Sequence, residues 1–127
     1  TFHQPIVMRI ENKEGNITLF WKVTDGKGGY EPGNIIQNGS KELTPAEWQK
    51  LENRVQSIGF WPTSPTDPGV DPENPRLEVL DGSQWIMEGK NAEKYHVVDR
   101  SESPSIRELF KTLLPLTDIQ IPKQEMY

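Results

Sequence analysis

Apolar positions along the first quarter of the chain follow a strand pattern. Ile6-Val7-Met8-Arg9-Ile10-Glu11 is rich in apolar and β-branched residues and stops at the turn string Asn12-Lys13-Glu14-Gly15; Ile17 to Val23 then resumes the apolar run. Two such runs around a short polar turn predict an antiparallel hairpin. Asp25-Gly26-Lys27-Gly28-Gly29 breaks the pattern, and Asn34 to Gln37 predicts a short third strand that ends at a turn at Asn38-Gly39.

The period then changes. Trp48, Leu51, Val55 and Ile58 fall on one face of a helix. Thr44-Pro45-Ala46-Glu47 reads as a capping box with proline at the first helical position, where no backbone donor is missed. Leu43 and Trp48 are spaced as a hydrophobic staple, and Gly59 is placed to end the helix, predicted over 45–58.

Five prolines between 62 and 75 predict a long irregular loop, because proline cannot donate to a ladder. Leu77 to Leu80, Gln84 to Glu88 and Tyr95 to Arg100 read as strands. Ser103-Pro104 opens a second helix over 104–114, with Ile106, Leu109, Phe110, Leu113 and Leu114 as its apolar stripe. Residues 117–127 read as a loose C-terminal tail. The order lacks regular strand–helix alternation, and short turns between neighbouring strands demand antiparallel pairing. The fold class is therefore α+β: one domain over 1–127, with an antiparallel sheet of about five or six strands and two helices packed on one face.

Composition narrows the function classes. The chain has 127 residues, which suits one core, and a net charge of −5. No Lys/Arg cluster is visible along the sequence, so nucleic acid is not an expected partner. No apolar run approaches the ~20 residues that span a bilayer. Cysteine is absent, which excludes disulfides, thiolate metal sites and a cysteine nucleophile. No cofactor motif is present. Residue 1 is Thr with no signal-like segment before it, so bacterial cytoplasm and periplasm are both compatible with the chain.

The most functional-looking polar string lies in the last two strands. An even connecting loop would pair Met87 with His96 and Glu88 with Tyr95. An odd loop of three or five residues would pair Glu88 with His96, Ile86 with Val98 and Gln84 with Arg100. The odd loop gathers Trp85, Met87, Tyr95 and Val97 on one apolar face, and a buried face specifies register strongly. The expected arrangement therefore places Glu88, His96 and Arg100 together. A carboxylate beside an imidazole can transfer protons; the preferred reading of the pair is an ordinary cross-strand polar contact. Asp67, Asp71 and Glu73 offer oxygens to calcium without a known loop spacing, and His3 adds no zinc pattern. Phe60-Trp61 reads as a plug at the core edge, with an exposed partner patch as the alternative.

Asp81-Gly82-x-x-Trp85-x-x-Glu88-Gly89, followed by Lys94-Tyr95-His96-Val97-Val98-Asp99-Arg100 and Ser103-Pro104, resembles a string in a group of uncharacterised bacterial proteins. The likeness covers about residues 26–116. It implies a bacterial α+β domain and brings no activity with it. The expectation is a soluble, non-enzymatic module that binds a protein or peptide or plays a structural role. Its expected surface is Gln84, Glu88, His96, Arg100 and Trp61. The alternatives are a small hydrolase or lyase using Glu88 and His96, with Arg100 beside them, and an acidic inhibitor-type binder that neutralises a basic toxin.

Overall fold

The computed structural model describes residues 4–27, 31–66, 84–101 and 103–121. Their order is β1 (Ile6–Lys13), β2 (Asn16–Thr24), β3 (Ile35–Glu42), α1 (Pro45–Ser57), β4 (Trp85–Lys90), β5 (Tyr95–Arg100) and α2 (Pro104–Leu113), followed by a 3-10 turn at Leu114–Leu116. The class is α+β, with two helices and two antiparallel sheets among the described residues. One sheet is β1-β2-β3 and the other is the hairpin β4-β5, rather than a single sheet of five or six. The strand expected at Leu77 to Leu80 and most of the proline loop lie outside the described residues.

The first hairpin follows its local chemistry. Glu14 and Gly15 both have positive φ, as a two-residue turn matched to strand twist requires. Asn12 caps the turn by accepting from the Gly15 N–H at 3.0 Å. β2 is central and turns Leu19, Trp21 and Val23 inward. β3 runs further than expected, through Asn38-Gly39, which is strand and not turn. Gly39 faces Trp21 across the ladder, and a Cβ there would lie 2.3 Å from the indole Cζ2. The missing side chain makes room for the ring.

α1 starts as its sequence dictates. Thr44 accepts from the Glu47 N–H while Glu47 accepts from the Thr44 N–H, completing the capping box. Leu51 is buried, whereas Trp48 is half-buried and stands outside the core cluster. Ser103 caps α2. Leu51 of α1 and Leu109 of α2 join the β2 residues, Leu43 and Ile119 in one core.

The start of the expected loose tail is in fact docked. Ile119 is 6% exposed within the core, and Ile121 packs against it. Asp118 accepts from the Trp21 indole N–H at 2.7 Å and from the Gln37 amide at 3.0 Å. An apolar residue that can reach the core outweighs the entropy gained by a free end.

Candidate functional site

The β4–β5 hairpin carries most of the residues singled out by the sequence, and its register differs from the expected one. Trp85 pairs with Arg100, Met87 with Val98, Glu88 with Val97, Gly89 with His96 and Lys90 with Tyr95. Directly opposed residues point to the same face. Glu88 therefore shares a face with Ile86, Lys90, Tyr95, Val97 and Asp99. His96 and Arg100 share the opposite face with Trp85, Met87 and Val98. The expected Glu88–His96 pairing is corrected: the two side chains leave the hairpin on opposite sides.

Two local causes set this register. Asn91 closes the neck of the turn: its N–H donates to the Lys94 carbonyl at 2.9 Å. Its side-chain oxygen accepts from the Glu93 and Lys94 N–H groups at 2.9 and 2.8 Å. Asparagine does this readily because its amide can mimic a backbone turn. The connection Asn91–Lys94 is thus even, four residues long, two shorter than the even alternative weighed from sequence. The second cause is packing. Phe60 is buried against the inward face beside Gly89, where a Cβ would sit 2.5 Å from its ring. Val98, not Val97, becomes the fully buried valine.

The inward face is an aromatic plug. Phe60 meets Trp61 edge-on with ring centroids 5.0 Å apart and meets the His96 ring at 5.1 Å. Trp85 meets Phe110 of α2 at 5.6 Å. Edge-to-face geometry of this kind is the favoured aromatic arrangement. The core-edge reading of Phe60-Trp61 fits this placement, with Phe60 buried and Trp61 half-buried. The His96 Nε2 is buried without a hydrogen-bond partner. Arg100 donates to the Ser64 and Asp99 carbonyls, and the Asp99 N–H donates to the Pro65 carbonyl, so the segment after Phe60 is laced to β5.

The outward face is open. Ile86 is 62% exposed and Tyr95 is 61% exposed. Around them the polar groups pair with one another along parallel diagonals. The Tyr95 hydroxyl donates to Glu88 at 2.6 Å, and the Gln84 amide donates to Asp99 at 3.0 and 3.1 Å. The carboxylate acceptor raises the Tyr95 pKa, with desolvation and the nearby negative charge acting in the same direction. Glu88 and Gln84 are recognisable from the sequence, whereas Ile86, Tyr95 and Asp99 are not, because their placement depends on the turn length.

Among the described residues no three His, Asp or Glu side chains converge as a metal site. Asp67, Asp71, Glu73 and His3 lie outside the described residues. No helix among them is long and apolar enough to cross a membrane. No protein-family model, curated protein or solved structure matches the chain.

Proposed function

We propose that the domain is a non-catalytic binding module that engages a protein partner through the outward face of the β4–β5 hairpin. One observation carries this reading: Ile86 and Tyr95 stand exposed on a face whose carboxylates are already oriented by intramolecular hydrogen bonds. An aromatic and an aliphatic anchor inside a preordered polar frame is how binding surfaces concentrate affinity. Glu88 and Asp99 retain further acceptor capacity, and the chain carries a net charge of −5. The partner that fits is a basic protein surface with an apolar centre. The acid–base alternative has no geometric support in this register, since Glu88 and His96 occupy opposite faces.

The test places a photo-crosslinking residue at position 86 or 95, and at Glu52 as a control. The captured protein is then purified and its affinity measured by calorimetry. The expected result is one basic partner captured from positions 86 and 95 only. Its binding weakens with salt and falls at least tenfold on Ile86→Asp or Tyr95→Ala, the loss of an anchor contact of about 1.4 kcal/mol or more. Binding that is insensitive to both substitutions overturns the proposal.

A further inference from the structure

Away from the hairpin face, α1 and α2 border a shallow depression of about 360 Å³ lined by Lys50, Asn53, Arg54, Ser57 and Thr112. Lys50, Asn53, Arg54 and Ser57 recur at helical spacing, so one stripe of α1 forms most of the lining. The chain as a whole is acidic, yet every charged side chain lining this depression is cationic.

The hydrogen-bond inventory of the lining is unbalanced. Ser57 donates its hydroxyl to the Arg54 carbonyl at 2.8 Å, and Thr112 donates to the Glu108 carbonyl at 3.0 Å. Asn53 has its side-chain oxygen engaged by Gln49 at 3.0 Å, which leaves its amide N–H groups to donate. Among the described residues no carboxylate forms a salt bridge with Lys50 or Arg54, although Glu108 feels the charge of Arg54. The Arg54 Nε is buried without an acceptor, and so is the Nε of Arg107 on α2. An N–H withdrawn from water without an acceptor is a free-energy cost.

The nearby acid is already committed. Glu108 accepts from Lys111 at 3.0 Å. That contact holds its carboxyl below the usual range, with Arg107 and Arg54 contributing further. Three cations on two helices, Lys111, Arg107 and Arg54, thus act on one carboxylate, and Lys50 adds a further positive charge to the lining.

We propose that this interhelical depression is a binding site for a phosphate-class oxyanion, held by Lys50, Arg54 and Asn53 with Arg107 adding to the field. A guanidinium, an ammonium and an amide share this lining as donors, which suits an anion with several acceptor oxygens. The site is independent of the hairpin surface: it uses other elements and another ligand chemistry.

The experiment titrates the full chain with inorganic phosphate at constant ionic strength, followed by the side-chain resonances of Arg54 Nε–Hε and Asn53 in ¹H–¹⁵N spectra. Saturable shifts of both are expected. Arg54→Gln and Lys50→Gln should each weaken phosphate binding by about tenfold, the worth of one charge-assisted contact. Glu108→Gln should tighten it severalfold, because a competing negative charge is removed. Lys50 is exposed, so its variant reports on binding without threatening the core. Shifts that grow linearly, or that chloride reproduces, overturn the proposal. So does binding that is unchanged by Lys50→Gln.

Discussion

The hydroxyl of Tyr95 donates to Glu88 at 2.6 Å, diagonally across the hairpin and away from His96. This contact favours the neutral phenol. The folded pKa of Tyr95 is therefore raised above 10.0, chiefly by the hydrogen bond. Its contribution to stability is fully present below the unfolded value and is lost as pH rises through the folded one. Tyrosinate absorbance, with Tyr95→Phe subtracted to isolate this residue, should titrate at lower pH in Glu88→Gln than in wild type. Coincident curves would show that the contact does not form in solution.

His96 presents a buried, unpartnered Nε2 to an aromatic plug. His96→Leu removes that unmet polar atom and keeps an apolar contact with Phe60. Its stability should lie within about 1 kcal/mol of wild type, or above it. A urea midpoint at unchanged slope is the measurement. A loss well beyond that range would assign the imidazole a structural hydrogen bond.

Gly39 and Gly89 are each opposed by a ring at a distance no Cβ tolerates. Trp21 and Phe60 are both buried, so neither ring has free space to retreat into. Gly39→Ala and Gly89→Ala should each destabilise by about 1–3 kcal/mol through overpacking. Alanine at either position with an unchanged denaturation midpoint would mean that the ring sits elsewhere.

Three carboxyls, Glu11, Glu47 and Glu108, have pKa values lowered from 4.5, each chiefly by a hydrogen bond from lysine. Depressed folded values give stabilisation that is present above the unfolded value and lost as pH falls through the folded one. Urea midpoints should therefore be flat above about pH 5 and decline below 4.5. Glu47→Gln, which also weakens the α1 cap, should lose less on acidification than wild type. Parallel acid profiles for the two proteins would reject a role for this carboxylate.

Much of the fold could be read from the residues because the signals were local. The Thr44-Pro45-Ala46-Glu47 box and the Ser103-Pro104 pair fixed both helix starts, and the Asn12–Gly15 turn fixed the first hairpin. Most of the misreadings turned on partners distant in sequence. Asn38-Gly39 looked like a turn until Trp21 supplied a reason for glycine inside a strand. Apolar alternation alone points to a different hairpin register from the one that the Asn91 side chain and Phe60 set. The basic residues do not cluster along the chain. Arg54 of α1 joins Arg107 and Lys111 around Glu108 only once α1 and α2 pack.

Trp21 and Asp118 touch across 97 positions of chain, with Ile119 beside them in the core. During synthesis β1, β2 and β3 emerge first and can pair at once. Their apolar face, with Leu19 and Trp21, then has to wait for residue 119 to clear the ribosome. A nascent chain stalled before that point displays a formed sheet with an open oily side, the kind of surface chaperones hold and neighbouring chains capture. Closing so distant a contact also slows the last step of folding. The vulnerable period in the life of this protein is therefore its translation, and its length is set by how fast α2 and the strap after it are made.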